Sequence, residues 1–91
     1  MNAQLFEIYQ ELRHAITEAT ALRDIVLPEV DAALKNTQLA FDRGRYSYLE
    51  WTDAQRELIA TERDRIEASA NVHLFLAEIE RLTNAPVSDA P

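Results

Sequence analysis

Apolar residues recur along the first half of the chain at Leu5, Ile8, Leu12, Ala15, Ala19, Leu22 and Val26. Steps of three and four keep them on one stripe of a helix, the seam of a heptad pattern. Past Pro28 the stripe continues, displaced, through Val30, Leu34, Thr37 and Phe41. In the second half Trp51, Ala54, Leu58, Thr61, Arg65, Ala68, Val72, Phe75, Ile79 and Leu82 hold the same rhythm. A second apolar line, Tyr48, Ile59, Ile66 and Leu76, lies beside it. No segment alternates Val, Ile or Thr between Asn-Gly or Asp-Gly turns, so no strand is predicted. The class is all-α, with one helix over about 3–42 and another over about 48–83.

Between them the pattern stops and restarts within a few residues. Gly44 follows Phe41-Asp42-Arg43, where a helix commonly ends in a left-handed glycine. Ser47-Tyr48-Leu49-Glu50 reads S-x-x-E, a capping box: Ser47 accepts from the Glu50 amide and Glu50 reaches back. Tyr46 and Trp51 stand at the two positions of a hydrophobic staple. Stop and restart so close together leave a turn over 43–47 and make the helices antiparallel neighbours. Arms of roughly 40 and 36 residues are each about 55–60 Å long at ~1.5 Å per residue, which suits a hairpin.

Pro28 interrupts the first arm. Its ring and missing N–H cost about 3 kcal/mol in a helix interior. A kink or short break is therefore expected near Asp24–Leu27, with Pro28 in the first turn of a second segment. The second arm ends at Asn84, in place of the usual glycine, and 85–91 reads as a frayed tail. Residues 1–84 thus form one hairpin unit.

A hairpin covers only the stripe that each helix turns to the other. Here the second arm carries more than one apolar stripe, and its middle, Thr61 to Ser69, is too polar for a closed core. At the open end Leu5, Phe6, Ile8, Tyr9 and Leu12 are expected to face Leu74, Phe75, Leu76, Ile79 and Leu82. Surplus apolar surface of this kind calls for neighbours, and pairing of two hairpins into a four-helix or larger bundle would cover it. The isolated chain is expected to form a dimer or higher oligomer.

Composition narrows the function. Nine basic against sixteen acidic residues give a net charge of −7, which argues against nucleic acid as a partner. There are no cysteines, so neither disulfides nor thiolate metal sites are available. No apolar run approaches the ~20 residues of a membrane span, and the N-terminus lacks a signal-peptide pattern. Alone, the chain is expected to stay where it is made.

Candidate chemistry is sparse. Glu11-Leu12-Arg13-His14 is E-x-x-H, half of a di-iron bundle signature, but Ala70 stands where His73 would need a glutamate. Glu11 and His14 also flank the seam rather than lie on it, and His73 reads as a packed or surface histidine. No metal or other cofactor is expected. Nucleophile–base pairs, phosphate-cradling loops and HExxH are absent, so the chain is not expected to be an enzyme.

Gly44 to Leu58, G-R-Y-S-Y-L-E-W-T-D-A-Q-R-E-L, resembles the second periplasmic hairpin of TolC-type outer-membrane efflux proteins. That family's line is aromatic-x-x-G-x-x-S-x-L-(D/E)-x-x-D-A-Q-x-x-L. Phe41 stands at the aromatic, Gly44 at the turn glycine, Ser47 at the cap and Asp53-Ala54-Gln55 at the "DAQ". Upstream, Val26-Leu27-Pro28 is similar to the family's "LP"; downstream, Ala77 to Thr83 is similar to its "AELERLTG", with Asn84 departing from the glycine. The likeness spans about 20–84, and Tyr46 to Trp51 leans toward the heavy-metal efflux branch. The family's membrane strands, first repeat and signal peptide are missing, as in an excised hairpin or a truncated reading frame.

The resemblance implies a trimer whose helices form a periplasmic tunnel continuous with an outer-membrane barrel. It also implies an inner-membrane transporter that drives export, and a periplasmic adaptor (membrane fusion) protein that meets the helical turns. By position, Arg43, Gly44, Arg45, Tyr46 and Ser47 would be the adaptor-docking tip, and Glu50 and Asp53 would line the channel constriction. Plain structural roles compete at each place. Gly44 ends a helix, acids suit a helix's first turn, Arg43 and Arg45 offset an acidic chain, and Tyr46 and Trp51 staple.

Overall fold

The computed structural model describes residues 3–83, which are helical apart from one reversal. Helix α1 spans Ala3–Ala21, a π-helical turn spans Leu22–Val26, α2 spans Leu27–Asp42 and α3 spans Tyr48–Thr83. Both α1 and α2 pack against α3, so the first arm folds back along the second. The molecule measures 60 × 29 × 16 Å with a radius of gyration of 19.0 Å. A compact chain of this length would have a radius near 12 Å. Among the described residues no helix is long and apolar enough to cross a membrane.

The seam forms the contact between the arms. Leu5, Ile8, Leu12, Ala15, Ala19 and Leu22 are buried or half-buried, and so is every seam position of α3 from Trp51 to Leu82. Burial is nevertheless thin: Leu12, Ala15, Ala68 and Ile79 are the buried apolar residues among those described. Thr61 is buried too, and its hydroxyl donates to the Glu57 carbonyl at 2.9 Å, so no polar group is stranded there. At the open end, Ile79 is the most enclosed side chain, 2% exposed. Phe6, Tyr9 and Leu74, expected in that contact, lie outside it and are exposed. They sit on flanks that a single opposing helix does not reach.

The expected interruption at Pro28 takes the form of a π-helical turn, with the chain remaining helical throughout. Ala21, Val26 and Leu27 all keep right-handed helical dihedrals, and the Leu27 amide donates to the Leu22 carbonyl, five residues back. A π turn holds one residue more than an α turn. That extra residue moves the seam from Val26, which is exposed, to Leu27, which is half-buried. From Leu27 the stripe runs in register through Val30, Leu34, Thr37 and Phe41. The widened turn also lies where a tight one would collide with the Pro28 ring, and Pro28 occupies the first turn of α2.

No ion pair joins the two arms among the described residues. The pairs present are local and exposed: Arg23 with Asp24, Lys35 with Asp31, Arg56 with Asp53, and Arg81 with Glu78. Exposed pairs contribute little to stability. Apolar packing therefore holds the hairpin closed. Asn84, expected to end the second arm, and the expected tail over 85–91 lie outside the described residues.

Candidate docking tip and flanking carboxylates

The reversal is built from backbone hydrogen bonds. The Arg45 amide donates to the Ala40 carbonyl at 2.8 Å and the Gly44 amide to the Phe41 carbonyl at 2.9 Å. This nested pair is a Schellman motif, which satisfies carbonyls that the end of α2 would leave bare. Its left-handed residue is Gly44, at φ +74°. A methyl group there would meet no atom within 4 Å, so the glycine is required by its backbone angle and not by crowding.

Helix α3 restarts at once. Ser47 Oγ accepts from the Glu50 amide at 3.2 Å, while the Ser47 carbonyl accepts from the Trp51 amide at 3.2 Å. The other half of the expected capping box is missing: among the described residues no bond returns from the Glu50 carboxylate to the Ser47 amide. The staple also differs. Trp51 stacks on Phe41, with centroids 5.2 Å apart, and meets Tyr48 edge-on at 5.8 Å. Tyr46 takes no part in this ring cluster and is 47% exposed. Phe41 is a seam residue of the opposite arm, so it meets Trp51 face to face where Tyr46, in the turn, does not.

The five tip residues therefore project together as an exposed cap beyond an aromatic plug. Among the described residues neither Arg43 nor Arg45 enters an ion pair, which leaves two guanidinium groups free at the end of an acidic chain. Tyr46, Tyr48 and Leu49 add exposed apolar surface around them. The plug itself carries one unmet requirement: Trp51 Nε1–H is covered and has no acceptor among the described residues.

Glu50 and Asp53 lie on the first turns of α3, both exposed. Asp53 reaches Arg56 at 4.0 Å; Glu50 has no basic partner among the described residues. Glu50 belongs to a longer series, because Glu57, Asp64, Asn71 and Glu78 recur every seventh residue and keep to one flank of the helix. The same seven-residue bookkeeping that marked the seam could have revealed this flank.

Glu11 and His14 are exposed on α1, and among the described residues no group of three or more His, Cys, Asp or Glu could hold a metal ion. His73 is also exposed; its Nδ1–H donates to the Ser69 carbonyl at 2.9 Å. Compared with known proteins, the chain matches no family model, no curated protein and no solved structure.

Proposed function

We propose that the chain is a non-catalytic wall and docking segment of a TolC-like outer-membrane efflux channel. In this reading the tip, Arg43, Gly44, Arg45, Tyr46 and Ser47, meets a periplasmic adaptor. Glu50 and Asp53, a turn beyond it, line a cation-favouring constriction when three copies surround the bore. The observation that carries the reading is the tip itself. A Schellman stop, a serine cap and an aromatic plug fix the reversal, and its outward side chains are left exposed, with Arg43 and Arg45 outside any ion pair among the described residues. Such a surface is held in backbone by hydrogen bonds and exposed in side chain, which suits a docking point.

The test uses the full-length parent channel carrying Gly44→Trp. Loss of adaptor binding and of export, with the channel still assembled, is the expected result. Unchanged adaptor binding removes the docking role.

A second reading is a small self-associating coiled-coil protein. It is supported by the line of Tyr48, Ile59 and Ile66, which stays exposed along α3 after the hairpin has closed. Sedimentation of the 91-residue chain tests it: a fully helical monomer at micromolar concentration is the outcome against it.

A further inference from the structure

The two broad faces of the hairpin differ in charge at one and the same height. On one face Ile16, Arg23, Arg65, Ser69 and His73 line a groove of about 290 Å³. Arg65 is a half-buried seam residue whose guanidinium has no ion pair among the described residues. Ile66, 59% exposed, lines an adjoining hollow that shares Arg65, Ser69 and His73 with the groove. On the opposite face Glu18, Asp64 and Glu67 surround a shallow hollow floored by Leu22 and Ala68. None of these three carboxylates has a basic partner among the described residues.

We infer that the basic groove receives the acidic face of a second copy of this chain, the two hairpins lying parallel and in register. The inference rests on the self-associating reading and names the surface and sense of the contact. Charge complementarity selects the occupant, because the chain presents both halves of the match. On one side is Arg65, without a carboxylate partner among the described residues, beside the isoleucines and Arg23, which holds Asp24. On the other are the three carboxylates. Height selects the orientation. The groove runs over 16–23 and 65–73, the acidic hollow over 18–22 and 64–71. Rotation about an axis parallel to the hairpin keeps these levels aligned. A two-fold axis that laid groove on groove would instead bring Arg23 and Arg65 against their own copies.

Area is sufficient. A face 60 Å by 29 Å is about twice the ~800 Å² that each partner contributes to a standard interface. A groove-to-flank contact is heterologous, so it closes a ring or extends as a stack.

The experiment is sedimentation equilibrium of the full chain with far-UV circular dichroism. Arg65→Glu is expected to weaken association about ten-fold, as is the pair Asp64→Arg with Glu67→Arg. A chain carrying all three reversals restores the match and is expected to return to within about three-fold of the parent. If a single-face variant loses helicity, recovery of both helicity and association in the three-fold variant still supports the contact. Association unaffected by the acidic-face reversals overturns the inference while leaving self-association standing. A three-fold variant that stays dissociated also overturns it. A monomeric parent chain overturns the inference and the self-associating reading together.

Discussion

Phe41 and Trp51 stack across the reversal with ring centroids 5.2 Å apart and planes 8° from parallel. The two residues end one arm and begin the other, so their contact sets how the arms leave the turn. Stacked aromatic pairs contribute about 0.5–1.5 kcal/mol beyond the area they bury. The indole N–H works in the opposite direction, because a covered donor without an acceptor costs about 1–3 kcal/mol.

These two terms predict opposite results for two substitutions at one site. Trp51→Ala removes the stack and is expected to destabilise the hairpin by about 2–3 kcal/mol. Trp51→Phe keeps a ring against Phe41 and deletes the stranded donor, so it is expected to be neutral or mildly stabilising. Thermal unfolding of the two variants decides. A Phe variant as unstable as the Ala variant would show that the indole N–H is satisfied after all.

Gly44 is constrained by angle alone. Because a Cβ there has open space, Gly44→Ala measures only the left-handed penalty, about 1–2 kcal/mol. For a chain of this size each kcal/mol lowers the melting temperature by roughly 4–8 °C. Replacement by D-alanine, which favours positive φ, is expected to match or exceed the parent's stability. Equal losses for both enantiomers would point to a steric cause and against this account.

The π turn has two candidate causes, and they separate cleanly. Pro28 alone could require it, or the seam could, since Leu22 and Val30 stand eight residues apart where a heptad allows seven. The burial of Leu27 in place of Val26 favours the seam. Pro28→Ala is therefore expected to keep the π turn and change stability by less than about 1 kcal/mol, given the residue's first-turn position. Deleting Asp24 from the Pro28→Ala chain removes the extra residue without a proline clash and is expected to yield a continuous α-helix with its seam intact. A crystal structure of each variant settles the matter; a Pro28→Ala chain with an unbroken α-helix would assign the turn to the proline.

Most of the hairpin could be read from the sequence because its signals are local. Gly44 and Ser47 act on their own neighbours, and the three-and-four rhythm from Trp51 to Leu82 has no interruption, so the boundaries 42 and 48 follow directly. What escaped depended on partners distant in sequence. Tyr46 occupies a staple position, but Trp51 turns to Phe41 because the other arm brings that ring alongside. Phe6, Tyr9 and Leu74 are apolar yet exposed, since apolar character alone does not say which flank an opposing helix reaches. The displaced stripe beyond Pro28 was visible as drift; only backbone geometry shows that one π turn absorbs it. The acidic flank of α3 was equally visible, but it bears no apolar residue to draw attention to its period.

Arg23 and Asp24 give a pH-dependent element within the π turn. Hydrogen bonding from Arg23, opposed in part by desolvation and aided by the charge itself, holds the Asp24 carboxyl below its ordinary value. A carboxyl lowered on folding adds stability that is present above its unfolded pKa, near 3.9, and is lost as pH falls through the folded value. Both groups are exposed, so the contribution is small. An NMR titration is expected to place the Asp24 midpoint below that of an unfolded-chain aspartate, and Arg23→Ala to raise it. No change in the variant would show that another group sets the shift.

The open end supplies the sharpest contrast between what the hairpin buries and what it leaves out. Ile79 is 2% exposed, whereas Ile66, on the same helix, is 59% exposed. Truncating a buried isoleucine costs about 2–5 kcal/mol, and Ile79→Ala is expected to fall in that range because thin packing leaves nothing to refill the site. Surface truncations usually stay within about 0.5 kcal/mol, so Ile66→Ala should leave a monomeric hairpin almost unchanged. If copies associate as proposed, the second value grows with protein concentration, because Ile66 is then covered too. Unfolding followed over about a hundred-fold range of concentration reads both effects. An Ile66→Ala loss that is large and independent of concentration would mean that Ile66 packs within its own hairpin, contrary to the exposure found here.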